Sequence, residues 1–468
     1  MEEEKYGLSH DEEIKEVIQR FEKMKRNNEN YFFDVVEFET IIDYYLESNN
    51  QARAYDAADM ATLQHPNSVS IQLRKARVLL DKGRAVEALR ILKRLEVIEP
   101  GNHEIYISKG TALGILGDIQ GARKMFDHAL STDSEDTANI LFAITSVLHN
   151  LNYYEQLIPY MIRLMELEPG FHAHKYDLAY AYEKIHDYTN AVKYYLVYIE
   201  EEPFSDSAWY NLGIIYNKLE QFQKALEAYD YALAINNQNS FALFNKGNIL
   251  CNLERYDEAI PVYLEYLEYE PDSFEALTYL GECYDKTDNQ SLSKKYYNEA
   301  IELAPEFPDP WIGLGILSMN NGDTSKSMIY FKKALKLDNE NPEVWFLTGK
   351  IHGLEGDHAK AIQCFRESLK LDPFFSEVWI ELGNLILNEN LEGKALPLLE
   401  QAYKVTGDVP GINYLLAAFN LKRGDTETAA EHLAVALELD KELYSEFSVF
   451  FPENLLNRKI KDILKNKL

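Results

Sequence analysis

Large and small apolar residues recur along most of this chain at fixed places in a period of 34 residues. The clearest marker is tryptophan, whose spacings are whole multiples of that period, at Trp209, Trp311, Trp345 and Trp379. A repeat of this length accommodates two short helices joined by a tight turn. The pattern therefore predicts a tandem array of helix pairs, in which each pair packs only on its neighbours.

Small residues and aromatic residues occupy further fixed places in the same period. A glycine follows the tryptophan position by four residues in six successive units, at Gly213, Gly247, Gly281, Gly315, Gly349 and Gly383. Alanine recurs later in the unit, at Ala54, Ala88, Ala122, Ala191, Ala225, Ala259, Ala361, Ala395 and Ala429. An aromatic residue often lies four positions after that alanine, at Phe126, Tyr195, Tyr229, Tyr263 and Phe365. Because side chains four apart share one face of a helix, we expect the glycine to let the second helix of a pair approach the first.

Proline marks the end of the predicted second helices. Seven prolines share one place in the period, at Pro66, Pro100, Pro169, Pro203, Pro271, Pro305 and Pro373. Since proline has no N–H and disfavours helix in the residue before it, the second helix has to end there.

The pattern resembles the tetratricopeptide repeat, whose motif appears in one unit as Trp209, Leu212, Gly213, Tyr216, Ala225, Tyr229 and Ala232, with Asn237 in place of the terminal proline. The resemblance implies an all-α, right-handed superhelical solenoid of helix-turn-helix repeats. Twelve units are predicted: 35–68, 69–102, 103–137 with one extra residue, 138–171, 172–205, 206–239, 240–273, 274–307, 308–341, 342–375, 376–409 and 410–443. The match is weakest in 138–171 and 410–443, where Thr145 and Ala417 replace the glycine.

The predicted array, 35–443, is flanked by an acidic N-terminal segment, 1–34, and by a basic C-terminal segment, 444–468. The first contains an amphipathic helix that is either a cap or separately mobile, with one apolar face made of Ile14, Val17, Ile18, Phe21 and Met24. The second has an apolar stripe, Leu455, Leu456, Ile460, Ile463 and Leu464, opposite basic residues. A helix of this kind can lie on an anionic membrane. We favour a capping helix, because the last repeat of a solenoid needs a cover with a polar outer face.

Composition fits a folded protein, since apolar residues make up 46% of the chain. No apolar run is long enough to span a bilayer, and the acidic start lacks the features of a signal sequence. We therefore expect a cytoplasmic protein. Its three cysteines, Cys251, Cys283 and Cys364, lie in different units without a CxxC motif, which favours reduced thiols.

The net charge of −30 argues against nucleic acid as a partner, because an acidic surface repels phosphate. One local exception is a basic cluster, Arg74, Lys75, Arg77, Lys82, Arg84, Arg90, Lys93 and Arg94. It is either a set of solvated charges on two helices or a docking patch for an acidic surface.

The sequence contains no motif of a known catalytic, nucleotide-binding or metal-binding site. The pair His172 and His174 could hold a metal only with further ligands, and no cysteine or third histidine lies nearby in sequence. We therefore expect a non-enzymatic protein without a cofactor or metal.

In the family that the chain resembles, first helices line a concave groove through their second, fifth, ninth and twelfth positions. These positions are rich in acidic, aromatic and amide side chains, and they give the candidate groove residues Tyr176, Tyr180, Glu183, Tyr210, Asn217, Phe241, Phe244, Asn248, Glu282, Asp285, Phe346, Lys350 and Asn384. The family's clamp for a C-terminal carboxylate, which pairs Lys with Asn on one repeat, is missing, since Phe244 occupies the fifth position before Asn248 and no basic repeat follows Asn217. The groove residues could also be ordinary solvent-facing side chains.

The sequence thus favours a scaffold or adaptor that binds a basic, apolar peptide or helical segment of a partner in an acidic, aromatic groove. The alternative is a structural subunit of a larger assembly, which could reach a membrane through its last helix.

Overall fold

The computed structural model describes residues 10–132, 136–388, 392–453, 456 and 458–467, and every regular element in these ranges is a helix. The chain divides into two compact units, Met1–Asn237 and Gln238–Leu468. Each unit is an all-α repeat solenoid, which confirms the predicted fold class.

The described residues of the first unit form thirteen helices. They are α1 (His10–Asn27), α2 (Val35–Glu47), α3 (Gln51–Gln64), α4 (Val69–Asp81), α5 (Ala85–Ile98), α6 (His103–Ile115), α7 (Ile119–Thr132), α8 (Thr137–Asn150), α9 (Tyr154–Leu167), α10 (Ala173–Lys184), α11 (Tyr188–Glu201), α12 (Asp206–Lys218) and α13 (Phe222–Ile235). After α1, consecutive helices pair as α2 with α3 through α12 with α13.

Apart from a 3₁₀ turn at Ser448–Phe450, the second unit contains six further pairs and two short closing α-helices in its described residues. They are α14 (Ser240–Asn252), α15 (Tyr256–Tyr269), α16 (Phe274–Lys286), α17 (Gln290–Leu303), α18 (Asp309–Asn320), α19 (Thr324–Leu337), α20 (Pro342–Leu354), α21 (His358–Leu371), α22 (Ser376–Asn388), α23 (Glu392–Thr406), α24 (Pro410–Lys422), α25 (Thr426–Leu439), α26 (Tyr444–Phe447) and α27 (Arg458–Lys467). Each pair begins and ends within a few residues of a unit predicted from the 34-residue period.

Polar side chains start the helices at recurring places in the period. Ser205, Asn239 and Ser273 each accept a hydrogen bond from the backbone N–H three residues later, at 3.1–3.3 Å. Aspartate caps several second helices in the same way, at Asp187, Asp323, Asp357 and Asp425. These caps satisfy N–H groups that a helix leaves unpaired in its first turn, so they fix where each helix begins.

The turn inside a helix pair places one residue in the left-handed region. In these turns, the residues with positive φ occupy the same position of their repeats: Asn49, Gly83, Gly117, Asn152, His186, Glu220, Glu254, Asp288, Gly322, Gly356 and Gly424. This conformation reverses the chain within a few residues, and it is easiest for glycine and asparagine. The second helix therefore folds straight back onto the first.

The repeated glycine makes room for the aromatic ring of the second helix. A Cβ atom added at Gly213 would lie 2.5 Å from the Cε1 atom of Tyr229, and one added at Gly349 would lie 2.6 Å from the Cε1 atom of Phe365. Both rings are buried. Because glycine has no side chain, the edge of the aromatic ring packs directly against its Cα atom.

The same two positions are complementary in size where the glycine is absent. In repeat 138–171 the glycine position holds Thr145 and the ring position holds Met161. In repeat 35–68 the larger residue is at the glycine position, Ile42, and the smaller one is at the ring position, Ala58. All four side chains are buried. Because protein cores are close-packed, a larger residue at one position requires a smaller one at the other.

Both ends of the array are covered by a packed helix. Phe21 and Met24 of α1 are buried in one cluster with Phe33 and Phe38, while Arg20 forms an ion pair with Glu37 at 2.8 Å. At the other end, α27 packs on α25, and Ile460 is fully buried there. Lys459 of α27 also forms an ion pair with Glu427. Of the predicted stripe, Leu455 lies outside the described residues.

We predict that Gly349→Ala and Gly353→Ala, on the same helix α20, change stability in opposite directions. Gly349→Ala should cost about 1 to 3 kcal/mol, because its Cβ atom meets the ring of Phe365. Gly353→Ala should gain about 0.5 to 1 kcal/mol, because nothing lies within 4 Å of its Cβ atom and alanine favours helix. Urea denaturation followed by circular dichroism measures both changes.

A double variant checks the cause. Phe365→Leu shortens the opposing side chain, so Gly349→Ala should cost less in that background than in the parent chain. Equal costs in the two backgrounds would show that the ring is not the obstacle.

Candidate functional site

In the first unit, the predicted groove tyrosines form part of an aromatic network. The ring of Tyr176 lies 5.4 Å from that of Tyr195 and 5.3 Å from that of Tyr198. Its hydroxyl accepts a hydrogen bond of 2.9 Å from the side-chain amide of Asn211, on the first helix of the next pair. Tyr176 is half-buried, and this burial raises the pKa of its hydroxyl.

Tyr180 and Glu183 have neighbouring cations. The Lys184 ammonium lies 4.6 Å from the centre of the Tyr180 ring, which is a cation–π distance. Glu183 is buried, and its carboxylate lies 3.8 Å from the Lys218 ammonium. Glu183 is therefore a paired charge in this structure.

The remaining candidates of the first unit are half-buried on α12. The ring of Tyr210 lies 6.0 Å from that of Tyr229, the ring that faces Gly213. Asn217 lies two turns later on the same helix. Tyr210 thus combines a partly exposed surface with contact to the core.

In the second unit, Phe244 is the centre of an aromatic cluster. Its ring lies 5.2 Å from that of Tyr266, 6.0 Å from that of Tyr279 and 6.2 Å from that of Tyr263. The side-chain carbonyl of Asn248 accepts a hydrogen bond of 2.6 Å from the Tyr263 hydroxyl. Phe241, at the start of the same helix, is 72% exposed.

Beside this cluster lies an open pocket of about 310 Å³, between α16, α17, α18 and the start of α20. Five carboxylates and one ammonium line it, from Glu275, Glu282, Asp285, Asp309, Glu343 and Lys286. The apolar part of its wall is formed by Tyr279, Tyr297, Ile312 and Ile316, among others. We call this cavity the acidic pocket.

Glu282 and Asp285 are half-buried in the acidic pocket, on one face of α16. Burial raises the pKa of the Glu282 carboxyl, and the nearby charges of Asp285, Glu343 and Asp309 raise it further, while Lys286 opposes them. Burial also raises the pKa of Asp285. Within the described part of the chain, neither carboxylate has an ion-pair partner within 4 Å. The pocket therefore holds negative charge that the protein only partly compensates.

The predicted groove residues Phe346 and Lys350, nearer the C-terminus, contact other side chains of the protein and do not line the acidic pocket. Phe346 is buried, with its ring 5.1 Å from that of Phe375. Lys350 covers the Phe346 ring at 5.3 Å, and its ammonium lies 3.8 Å from the Glu381 carboxylate. The side chain of Asn384 lies outside the described residues.

Three of the eight residues of the basic cluster form ion pairs within the described residues of the first unit. Arg74 forms ion pairs with Asp43 at 2.8 Å and with Glu39 at 3.3 Å. Lys75 pairs with Asp59, and Arg84 pairs with Glu87. The ammonium of Lys75 also lies 3.5 Å from the centre of the Tyr55 ring.

Tyr279 and Lys286 of the candidate site do not follow from the groove positions used in the sequence analysis. Tyr279 lies one residue after the fifth position of its unit, yet it lines the acidic pocket and is 37% exposed. Lys286 lies one residue after the twelfth position. The signal that could have found them is proximity in the sequence to Glu282 and Asp285, on the same helix.

The two histidines of the HxH pair have separate partners. The Nδ1 atom of His172 lies 2.6 Å from Glu201, while the Nε2 atom of His174 lies 3.3 Å from Glu168. Throughout the described ranges, no group of three His, Cys, Asp or Glu side chains is placed to hold a metal ion. No described helix combines the length and apolar character needed to cross a membrane.

Comparison with protein families identifies the repeat. Four models described as tetratricopeptide repeat match residues 207–239, 244–308, 308–341 and 342–375. The last two matches have the same bounds as the units predicted from the period. A comparison with curated proteins finds no significant match.

Many solved structures resemble the chain at low identity. MamA 41-end from Desulfovibrio magneticus RS-1 is 22% identical, with a TM-score of 0.35, over 36% of this chain and 97% of that one. YrrB, described as a TPR protein with an unusual peptide-binding site, is 19% identical, with a TM-score of 0.33, over 39% and 95%. The APC/C hetero-tetramer Cut9-Hcn1 is 14% identical, with a TM-score of 0.40, over 87% and 93%.

The family matches and the tandem helix pairs agree on the same repeat. The repeated small residue, opposed by a bulky side chain of the second helix, recurs in the matched region and beyond it. The chain is therefore a tetratricopeptide repeat protein, a type of scaffold for protein–protein interaction.

Proposed function

We propose that the acidic pocket binds a segment of a partner protein that carries Lys or Arg beside apolar residues, as an extended peptide or a helix. The observation that supports this most directly is the pair of half-buried carboxylates, Glu282 and Asp285, without an ion-pair partner among the described residues. A cationic side chain entering the pocket would supply the missing charge.

The walls of the pocket suit a long basic side chain. Ile312 and Ile316 could contact its aliphatic part, and the Tyr279 ring offers a flat aromatic surface. A guanidinium can bind a carboxylate through two parallel hydrogen bonds and can stack on an aromatic ring. Arginine therefore fits this pocket better than lysine.

The electrostatic state of the pocket also favours a binding role. A carboxyl with a raised pKa is held at neutral pH in an environment that disfavours its charge. Such an arrangement lowers the stability of the free protein, and perturbed groups of this kind concentrate at functional sites. A bound cation would relieve that unfavourable charge.

The half-buried tyrosines of the first unit provide a separate candidate surface. We propose that Tyr176, Tyr180 and Tyr210 accept apolar side chains of a partner, because large aromatic residues usually contribute most of the binding free energy at an interface. Glu183 is already paired with Lys218, so it contributes less charge than the sequence alone suggests.

The second candidate function is that of a subunit in a larger assembly. It is favoured by exposed apolar residues on the second helices α3 and α5 of the first unit, since Leu63 is 83% exposed, Val97 82% and Ile98 63%. Neighbouring exposed apolar side chains often mark a protein interface. Purification of the protein with stoichiometric companions would support this function.

We predict that aromatic and acidic substitutions in the second unit affect binding differently. A fluorescent peptide of alternating Arg and Leu serves as the probe, and a peptide with citrulline in place of Arg serves as the neutral control. Tyr279→Ala and Phe244→Ala should each cost about 1 to 3 kcal/mol of affinity at both low and high salt. Glu282→Gln should weaken binding mainly at low salt, since salt screens the lost attraction.

Glu302→Gln is the matched control for this titration. It makes the same change of charge at an exposed position of α17 outside the pocket. Equal binding of the Arg and citrulline peptides, or an equal loss in Glu302→Gln and Glu282→Gln, would refute the proposed role of the pocket.

We also predict that Glu282→Gln makes the free protein more stable at neutral pH. Because the folded-state pKa of Glu282 is raised, the folded protein binds this proton at a higher pH than the unfolded chain does. The parent protein therefore loses stability as the pH rises from the ordinary carboxyl value through the raised one. The stability that Glu282→Gln gains over the parent should be complete at pH values above the raised pKa and should disappear at pH values below the ordinary carboxyl pKa.

Urea denaturation of both proteins at pH 7 and at pH 4 measures this difference. A variant that is less stable than the parent at pH 7 would show that the Glu282 charge is stabilised in the folded protein.

A further inference from the structure

Two of the three cysteines are brought together by neighbouring first helices of the second unit. Cys251 lies near the end of α14 and Cys283 lies in α16, and their Sγ atoms are 3.2 Å apart. They are 32 residues apart in sequence and occupy different places in their repeats. Their proximity arises from the packing of α14 against α16.

The two thiols differ in access and in acidity. Cys251 is half-exposed, whereas Cys283 has no exposed surface. A hydrogen bond from the Cys283 thiol lowers the pKa of Cys251, and the same bond raises the pKa of Cys283. The Cys251 thiol also donates to the Tyr263 hydroxyl, 3.8 Å away, whose own proton is donated to Asn248. Cys251 is therefore the nucleophile and Cys283 is a thiol held ready beside it.

We propose that Cys251 and Cys283 form an oxidative modification site, in which a peroxide or a small disulfide converts them into an intrachain disulfide between α14 and α16. This pair is distinct from Cys364, whose thiol is buried in α21. No function of the acidic pocket is needed for this reaction.

With a peroxide, the Cys251 thiolate attacks one oxygen, the O–O bond breaks, and the other oxygen leaves as alkoxide or hydroxide. The sulfenic acid formed on Cys251 is then attacked by the sulfur of Cys283, which loses its proton as water leaves. The two thiols together lose two electrons and two protons, and the peroxide is reduced. With a small disulfide, Cys251 forms a mixed disulfide first, and Cys283 displaces the second thiol.

This order of attack explains how a buried thiol can take part. The external oxidant needs to reach only Cys251, and the second bond forms between sulfurs that are already in contact. The product would join two successive repeats covalently on the helices that carry Asn248 and Glu282. Oxidation would therefore fix the spacing of α14 and α16 beside the acidic pocket.

The full-length chain, reduced and freed of reductant, is treated with oxidised glutathione or with hydrogen peroxide. Free thiols are then alkylated with a maleimide under denaturing conditions and counted by intact mass. We expect alkylation to fall from three thiols to one, with the protein still migrating as a monomer on a non-reducing gel. Proteolytic mapping should give a peptide pair linked through Cys251 and Cys283, and dithiothreitol should restore all three thiols.

Single variants separate this pair from general oxidation. Cys364→Ala should still lose both remaining thiols, whereas Cys251→Ala should lose neither Cys283 nor Cys364. Oxidation of Cys251 alone to a stable glutathione adduct or sulfinic acid, with Cys283 still alkylated, would overturn the proposal. So would a disulfide between two chains.

A second measurement avoids oxidants and does not depend on the folding of a variant. Phenylarsine oxide binds two adjacent thiols by forming two As–S bonds and releasing one water molecule. The reduced parent protein should take up one phenylarsine, which protects Cys251 and Cys283 but not Cys364 from alkylation. Failure of phenylarsine to protect the pair would show that the two sulfurs are not adjacent in solution.

Discussion

The close fit between a small residue of the first helix and a large side chain of the second, in most of the helix pairs, is the contact on which the rest of this structure depends. The ring of Tyr229, Tyr263 or Phe365 lies against the Cα atom of a glycine on the partner helix, at distances that leave no room for a methyl group. This contact fixes how closely the two helices approach. Within each compact unit, where successive pairs pack on one another, this repeated local fit determines where the first helices of that unit lie.

The candidate site depends on that placement. The small and apolar residues of a first helix are buried in the core. The side chains on its other faces do not have to fit that core, so they can differ from repeat to repeat. In the second unit these faces bring Glu282 and Asp285 of α16 near Asp309 of α18 and Glu343 of α20. The resulting charge is unfavourable in the free protein, because burial and like charges both raise the pKa of Glu282. A scaffold can tolerate that cost where its stability is distributed over many repeats.

The cysteine pair shows how the same architecture creates reactive contacts. First helices of successive pairs lie side by side, so residues about one period apart in sequence become neighbours. Cys251 and Cys283 are brought together in this way, with one sulfur half-exposed and the other buried. The aromatic cluster around Phe244 and the acidic pocket both share helix α16 with this pair. Binding, charge and thiol chemistry are therefore concentrated on one part of the second unit.

The sequence by itself determined the helices and their pairing, because the glycine, alanine, aromatic and proline positions are local packing requirements that repeat in phase. It also located the acidic residues Glu282 and Asp285 on one helix face. Only the tertiary structure decided that Glu183 is paired with Lys218, that Phe346 is buried, and that Tyr279 lines a pocket. These outcomes depend on distances between residues of different helices. The rotation and spacing of the packed repeats set those distances, and they cannot be read from the position of a residue within its repeat.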